Sequence, residues 1–261
     1  MGSFRFKQFE VEQNHSAMKV NTDAVLLGAW MSVPGGETVR ALDIGTGTGV
    51  IALMAGQRLA EAGVSAHIDA VEIDADACKD AAVNFDSAPW AGISFGLHNV
   101  PLQEFAGDAE GAGGTGCYDL IFSNPPYFIS SLKNDSAAKT TARHTDTLSQ
   151  RELLFYSTPL LKEGGTLAII LPVVEGEELL RKVEFMANAA VAAGGDTAAL
   201  FPSRICYVHT IERKPAKRLM LEFVKCTPSA RPVLQRQQLV MMSGGANTPE
   251  YAELVGGFYL R

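Results

Sequence analysis

The sequence contains little that would support a metal centre, a disulfide framework or a membrane span. Its four cysteines, Cys78, Cys117, Cys206 and Cys226, form no Cys-x-x-Cys pair and have no histidine at metal-ligand spacing. No apolar run approaches the roughly 18 to 20 residues that cross a bilayer, and the N-terminus lacks the apolar stretch of a signal peptide. We therefore expect no metal and no membrane, and we expect a cytoplasmic protein whose cysteines are reduced core thiols.

Basic residues are scarce in the first half of the chain. The 261 residues carry a formal net charge of -7, but residues 24–127 have a net charge of -10 and residues 204–236 a net charge of +6. A basic cluster is expected where a protein contacts a phosphate backbone, although a solvated surface is the ordinary alternative. With 47% hydrophobic and 20% charged residues, the composition is that of a globular protein and excludes wholesale disorder.

Short apolar runs alternate with longer segments of helical periodicity from residue 39 onward, which is the βαβ pattern of a parallel sheet covered by helices. Near the end, residues 204–213 and 217–225 flank a Lys-Pro-Ala turn and predict an antiparallel hairpin. Residues 107–116 and 130–146 are small and polar, and we expect both to be mobile loops. The five strand-like runs are residues 39–44, 67–73, 93–98, 118–124 and 166–172.

Residues 1–37 precede this pattern. Residues 4–11 alternate like a short strand, and Thr22 or Asp23 is expected to cap an apolar helix. We expect this extension to lie across the carboxyl edge of the sheet. Because no linker is long enough to force a second domain, we expect a single domain over residues 1–261.

A glycine-rich turn follows the first strand of the sheet. Residues 43–49 read Asp-Ile-Gly-Thr-Gly-Thr-Gly, and glycine allows a sharp strand-to-helix turn that a ligand can approach closely. A dinucleotide fingerprint would require glycine at position 50, where Val50 stands. The pattern D-x-G-x-G-x-G instead resembles the first motif of class I S-adenosylmethionine-dependent methyltransferases, and a turn that binds nothing is the alternative.

This resemblance implies an α/β, Rossmann-like fold with a mostly parallel seven-stranded sheet and the hairpin at its C-terminal end. It also implies that Asp43 and the turn glycines hold the methionine end of the cofactor. Glu72 ends the second strand, where a carboxylate can accept hydrogen bonds from both ribose hydroxyls; a solvent-facing carboxylate is the alternative. Asn99 stands where the family usually has an aspartate that reads the cofactor's adenine amino group, and its side-chain oxygen can accept the same bond.

The fourth strand ends in Ser-Asn-Pro-Pro-Tyr, residues 123–127, which resembles the (N/D)-P-P-(Y/F) motif of methyltransferases that act on a planar nitrogen. An exocyclic amine on an aromatic ring is a poor nucleophile because its lone pair is delocalised. The Asn124 side chain and the Pro125 carbonyl can accept its two N–H groups and favour a tetrahedral nitrogen. Pro126 helps to fix the backbone, and Tyr127 or Phe128 can stack on the flat substrate. A proline-rich strand terminus with a packed aromatic is the alternative.

The motif alone leaves adenine N6, guanine N2 and a protein glutamine amide open as targets. Residues 6–9, 18–30, 87–90 and 258–260 are similar to segments of the bacterial tRNA1(Val) (adenine-37-N6)-methyltransferases, and the resemblance extends nearly end to end. It implies a cytoplasmic enzyme, expected to be a monomer, that binds S-adenosylmethionine and the anticodon loop of tRNA.

The resemblance also assigns roles to residues. Lys19, Thr22 and Asp23 would border the cofactor and the target base, and the 130–146 loop and the basic hairpin would meet RNA. The expected catalytic residues are Asn124, Pro125, Pro126 and Tyr127. The expected cofactor-binding residues are Lys19, Thr22, Asp43, Gly45, Gly47, Gly49, Glu72, Ile73, Asn99, Val100 and Asn124. The expected substrate-binding residues are Tyr127, Phe128, Arg143, Lys214, Lys217 and Arg218.

Two rival functions remain open at this point. A related enzyme would methylate a protein glutamine or a guanine of ribosomal RNA, and a noncatalytic RNA-binding factor could retain the same fold. The five histidines are scattered without H-x-x-x-H spacing, so we expect them at surface or packing positions. Ser123 does not stand in G-x-S-x-G, which argues against a hydrolase nucleophile.

Overall fold

The computed structural model describes residues 2–108, 114–126, 148–192, 194 and 196–260. Its strands are β1 Ser3–Arg5, β2 Glu10–Glu12, β3 Thr38–Ile44, β4 Ser65–Val71, β5 Ile93–His98, β6 Tyr118–Ser123, β7 Leu161–Pro172, β8 Ala199–Ile211, β9 Arg218–Cys226, β10 Gln235–Ser243 and β11 Ala246–Asn247. Its helices are α1 Thr22–Trp30, α2 Val50–Glu61, α3 Ala75–Asp86, α4 Leu102–Gly107, α5 Gln150–Leu160, α6 Val173–Ala192 and α7 Pro249–Val255, with a 3-10 turn at Pro228–Ala230.

Within these ranges the main sheet has nine strands in the order β11-β10-β8-β9-β7-β6-β3-β4-β5. Strands β3 to β7 pair in parallel, and β9 is antiparallel to both β7 and β8. The seven expected strands and the antiparallel hairpin are present. The expected strand count is corrected, because β10 adds to β8 in parallel and β11 adds to β10. Sequence periodicity missed β10 because residues 235–238 are all exposed and polar and only Leu239 is buried.

Strand direction decides which chain segments meet. The parallel strands β3 to β7 end at one side of the sheet, which we call the carboxyl edge. Because β9 runs antiparallel, its first residue Arg218 pairs with Pro172, the last residue of β7. The turn between β8 and β9 therefore projects from the same edge as the segments that follow β3, β4 and β6.

Helices cover both faces of the sheet and bury its apolar side chains. On one face, β3 and β4 pack against α1, α2 and the N-terminal segment, which contributes Phe6 and Phe9. On the other face, apolar residues of β6, β7 and β9 pack against α4, α5 and α6. No described helix combines the length and apolar character needed to cross a membrane.

The N-terminal segment forms a small antiparallel pair of strands, β1 and β2, before helix α1. The expected cap of α1 at Thr22 or Asp23 is wrong: the N-cap is Asn21, whose side-chain oxygen accepts the Ala24 N–H at 2.9 Å. An asparagine oxygen one residue earlier satisfies an otherwise unpaired N–H, so the helix begins at Thr22. All residues of α1 from Ala24 to Trp30 are buried.

Candidate active site

The glycine-rich turn connects the end of β3 to the start of α2. Gly45, Gly47 and Gly49 adopt φ values of 71°, 57° and 82°, the left-handed region that glycine tolerates. A Cβ at Gly45 or Gly47 would meet no protein atom within 4 Å, whereas a Cβ at Gly49 would lie 2.5 Å from the Phe85 ring. Gly45 and Gly47 thus leave open space beside the backbone. Gly49 allows the start of α2 to approach α3.

Asp43 lies beneath this turn and is fully buried. One carboxylate oxygen accepts the Thr46 hydroxyl at 2.7 Å. The other has no partner of good hydrogen-bond geometry in the described part of the chain, although the Ala52 backbone N–H has a small favourable effect. Burial, together with the nearby charge of Glu72, raises the pKa of Asp43 to about 7.

Glu72 follows β4 and ties two loops together. Its carboxylate accepts the backbone N–H of Gly47 at 2.8 Å and that of Asp74 at 2.9 Å. These bonds hold the acidic side chain against the glycine turn. A carboxylate oxygen has two lone-pair directions, so each oxygen can accept one further hydrogen bond from a ligand.

The end of β6 presents Asn124, Pro125 and Pro126 beside the glycine turn. Ser123 is fully buried, and its hydroxyl donates to the Ile44 carbonyl at 2.8 Å, which ties the end of β6 to the end of β3. The expected residues Tyr127, Phe128 and Arg143 and the loop 130–146 lie outside the described residues, as do residues 109–113 of the loop expected at 107–116.

These strand ends line one cleft of about 230 Å³ at the carboxyl edge. Eight of the expected site residues lie in its wall: Gly45, Gly47, Glu72, Ile73, Val100, Asn124, Pro125 and Pro126. The wall also includes residues that sequence reasoning missed, among them Ser16, Ala17, Met18, Pro101, Gln103 and Leu148. The cleft therefore brings the glycine turn, the acidic residue and the Asn-Pro-Pro segment together.

Residues 16–18 reach the cleft because α3 holds the chain just before them. The buried carboxylate of Asp80 accepts the backbone N–H groups of His15 and Ser16 at 2.9 and 2.7 Å. Burial alone would raise the pKa of Asp80, but the hydrogen bonds from backbone N–H groups and from the His15 side chain outweigh it and the pKa is lowered. The contact joins residues 64 positions apart, so no local pattern could have shown it.

Several expected cofactor residues lie outside the cleft wall. Lys19 donates to the Ser16 carbonyl at 2.8 Å and supports the segment beside the cleft. The Asn99 side chain donates to the carbonyls of Glu72 and Ile73 at 2.9 and 3.2 Å, which fixes the end of β5 against the end of β4. Asp43 lies beneath the turn, and Gly49 is the last glycine of the turn, against Phe85.

The basic hairpin lies at the same edge, beyond β7. Arg218 donates to the Asp23 carboxylate at 2.7 Å, and Lys214 and Lys217 are exposed. Thr22 lies with Lys217 and Arg218 in a separate cavity, outside the wall of the cleft. In the described part of the chain no group of three or more His, Cys, Asp or Glu residues is placed to hold a metal ion.

Comparison with known proteins identifies the family. The family model of the methyltransferase small domain matches residues 12–193. A protein from Trichodesmium erythraeum named tRNA1(Val) (adenine(37)-N6)-methyltransferase is 38% identical over 99% of this chain and 98% of its own. One of the same name from Tolumonas auensis is 39% identical over 99% of this chain and 97% of its own. The chain belongs to this methyltransferase family.

Solved structures agree with the fold of the methyltransferase. A predicted O-methyltransferase from Agrobacterium tumefaciens has a TM-score of 0.61 at 20% identity, covering 90% of this chain and 96% of its own. TYW2 from M. jannaschii, solved with AdoMet, has a TM-score of 0.53 at 11% identity, covering 86% and 85%. The class I fold expected from residues 43–49 is confirmed.

The cofactor of this methyltransferase family is S-adenosylmethionine, and the cleft fits it. Gly45 and Gly47 line the cleft without a side chain, and no protein atom lies within 4 Å of where a Cβ would be. A ligand can therefore approach the backbone of the turn closely. Glu72 stands at the end of β4 with acceptor capacity for hydroxyl groups. Val100 and Leu102 add apolar wall on the side of β5 and α4, suited to the face of an adenine ring.

Proposed function

We propose that this methyltransferase transfers a methyl group from S-adenosylmethionine to N6 of adenine 37 in tRNA1(Val). The observation that carries the proposal is the position of Asn124, Pro125 and Pro126 in the same cleft wall as Gly47 and Glu72. The adenine amine and the methyl donor then have adjoining places at one edge of the sheet. The names of the curated relatives, which are 38% and 39% identical over 99% of this chain, support the tRNA target.

When bound, S-adenosylmethionine supplies a methyl group on a positively charged sulfur. Glu72 would accept hydrogen bonds from the ribose hydroxyls of the bound cofactor and so would fix it along the edge. The Asn124 side-chain oxygen and the Pro125 carbonyl accept the two N–H groups of the target amine, which directs the nitrogen lone pair toward the methyl group. The buried hydrogen bond from Ser123 to Ile44 keeps this acceptor pair at a constant distance from the glycine turn.

Proton transfer needs no strong base in this mechanism. Methylation places a positive charge on the amine, and that cationic product releases a proton readily to water. The residues of the site are therefore required to orient the amine. Neither Pro125 nor Pro126 has a backbone N–H, so neither competes with the amine for the acceptor oxygens.

The proposed RNA path runs along the carboxyl edge from the cleft to the basic hairpin. Strand β7, which ends at Pro172, lies between β6 and β9. The Asn124 segment and Arg218 are therefore on either side of it. Lys214 and Lys217 would contact phosphates beside the flipped adenine, which costs less to extrude from a single-stranded loop than from a duplex. The remaining proposed RNA contacts are Tyr127, Phe128 and the loop 130–146 with Arg143.

The test is methyl transfer from labelled S-adenosylmethionine into bulk tRNA, followed by mass spectrometry of the nucleosides. We expect labelled N6-methyladenosine from tRNA and none from ribosomal RNA, with no label in release factor protein. Absence of N6-methyladenosine in tRNA, or stronger labelling of either other substrate, would contradict the proposal.

An Asn124→Ala variant tests the orienting role. Loss of one acceptor to the transition state is expected to lower kcat by about 100-fold, the scale of a lost hydrogen-bonding group in a preorganised site. Asn188→Ala, at an exposed asparagine in the last turns of α6, is the matched control and should retain kcat. A catalytically unimpaired Asn124→Ala variant would favour a noncatalytic RNA-binding function.

A further inference from the structure

A second cavity of about 320 Å³ lies at the carboxyl edge, between the start of α1 and the hairpin formed by β8 and β9. We call it the hairpin cavity. It is separate from the cleft described above and shares none of that cleft's residues. The residues on which its chemistry depends are Thr22, Leu26, Val208, Thr210, Lys217 and Met241.

The position of the hairpin cavity follows from strand order. Arg218 begins β9 opposite the end of β7, and β7 lies beside β6, whose end supplies Asn124. Neighbouring strands are about 4.8 Å apart, so β6 and β9 are separated by about 10 Å along the edge. That separation is within reach of nucleotides adjoining an adenine bound at Asn124.

The cavity combines an apolar floor with a polar rim. Leu26 and Val208 are buried and Met241 is half-buried, so the floor presents aliphatic and thioether surface. Thr22 and Thr210 are exposed at the rim, and neither hydroxyl has a hydrogen-bond partner among the residues that the structure describes. A flat, partly polar group such as a nucleobase matches this combination.

Charge favours a nucleotide over a neutral ligand. The Asp23 carboxylate is paired with Arg218 at 2.7 Å. Lys217 is exposed, and its ammonium group has no carboxylate within 4.0 Å in the described part of the chain. Lys214 and Arg213 project from the same turn. Residues 212–217 contain three basic side chains and one acidic side chain, Glu212, so the turn keeps a net charge of +2 beside the place where a phosphate joined to the bound base would lie.

We propose that the hairpin cavity binds a nucleotide that flanks the target adenine in the RNA strand. Its base lies against Leu26, Val208 and Met241, the two threonine hydroxyls bond its edge, and Lys217 contacts its phosphate. This inference rests on the proposed function, because the occupant belongs to the methylated RNA. It makes the cavity a specificity site that reads the neighbourhood of the methylated base.

The test combines cavity filling with removal of a base. The protein variant is Thr210→Trp, and the probe is a hairpin RNA with the sequence of the tRNA1(Val) anticodon arm. Further probes replace each nucleotide beside adenine 37 in turn with an abasic one. The matched control is Thr38→Trp, an exposed threonine on the opposite edge at the start of β3.

We expect Thr210→Trp to weaken binding of the hairpin RNA by about 10-fold or more, because the indole occupies the cavity and excludes the base. One abasic probe should weaken binding to the unmodified protein similarly, yet make no further difference to Thr210→Trp. The proposal would be overturned if Thr210→Trp bound the hairpin RNA with unchanged affinity. It would also be overturned if every abasic probe weakened binding to Thr210→Trp by the same factor as binding to the unmodified protein.

Calorimetric binding of S-adenosylmethionine shows whether Thr210→Trp is folded. If it is not, Thr22→Trp fills the same cavity from the α1 side, at an exposed first helical position. Methylation of tRNA by the unmodified protein separates the two proposals. If methylation occurs without coupling between cavity and base, the hairpin-cavity proposal alone fails; if no methylation occurs, the proposed function fails first.

Discussion

The two ends of the carboxyl edge differ in charge and in how their polar groups are held. At the ends of β3 and β4, the Glu72 carboxylate is tied to the backbone by two hydrogen bonds and Asp43 is fully buried. At the turn between β8 and β9, Lys214 and Lys217 are exposed. A small cofactor requires one geometry, whereas a phosphate backbone can be attracted by flexible charges. The comparison predicts that substitutions at one end leave the ligand of the other end unaffected.

Glu72→Gln should have the largest effect on ligand binding. Glutamine replaces one carboxylate oxygen by an NH2 group, which faces the N–H of either Gly47 or Asp74 and cannot accept it. Hydrogen bonds to charged groups contribute about 1.5–3 kcal/mol each, so we expect S-adenosylmethionine affinity to fall by about 100-fold in calorimetry. RNA affinity should be unchanged.

Glu250→Gln, exposed in α7, is the control for the loss of one negative charge. A Glu72→Gln variant that binds S-adenosylmethionine normally would show that this carboxylate does not contact the cofactor. A parallel loss of RNA affinity would break the proposed independence of the two ends.

Gly49→Ala tests the rigidity of the cofactor end. Its Cβ would lie 2.5 Å from the Phe85 ring, and the left-handed φ of 82° adds strain. These costs are about 1–2 kcal/mol for the backbone and about 1–3 kcal/mol for overpacking, so the free energy of unfolding should fall by about 3 kcal/mol. Urea denaturation measures the change.

Gly63→Ala provides the matched control for Gly49→Ala. Gly63 has a φ of 72°, but a Cβ there meets nothing within 4 Å. Only the backbone cost of about 1–2 kcal/mol should appear. Equal destabilisation by the two variants would mean that the contact with Phe85 relaxes without cost.

The fold was largely predictable from sequence, because buried parallel strands leave apolar runs and the helices between them leave helical periodicity. Residues 39–44 and 118–124 illustrate this, since the structure places the buried strands β3 and β6 there. The exposed, glutamine-rich β10 was not predictable, since its pairing with β8 depends on backbone hydrogen bonds that carry no apolar signal.

The candidate site was predictable where it depends on local motifs and not where it depends on distant contacts. The turn at 43–49 and the Asn-Pro-Pro segment are local, and both reach the cleft. Residues 16–18 reach it through contacts that include the distant Asp80, and Thr22 lies in the hairpin cavity because α1 begins beside β9. Such placements arise from tertiary packing, which short spacing rules do not describe.

At the basic end, Lys214→Ala combined with Lys217→Ala should weaken tRNA binding by about 10-fold at moderate salt. Removing two phosphate contacts lowers the slope of log affinity against log salt concentration by about 1.4 for a single-stranded site. S-adenosylmethionine affinity should not change. Fluorescence anisotropy of labelled tRNA at several salt concentrations measures the tRNA affinity and its salt slope.

Arg231→Ala is the control for those two lysines. Arg231 is exposed and precedes β10, so it lies at the edge opposite the cleft. Its removal should leave the salt slope unchanged. A change in salt slope half as large in the control as in the double variant would mean that RNA binding follows total charge and not the position of the hairpin.

Asp43→Asn is expected to change the pH dependence of stability at the cofactor end. Burial raises the pKa of Asp43 to about 7, whereas an unfolded chain has an aspartate pKa of about 3.9. Between these values the folded state binds the extra proton, so Asp43 makes the free energy of unfolding fall as pH rises, by at most about 1.4 kcal/mol per pH unit. Asp80, whose pKa is lowered, acts in the opposite direction but only at more acidic pH. Urea denaturation from pH 5 to 7.5 should therefore show a declining difference in stability between the unmodified protein and Asp43→Asn, and a constant difference would mean that Asp43 is ionised throughout that range.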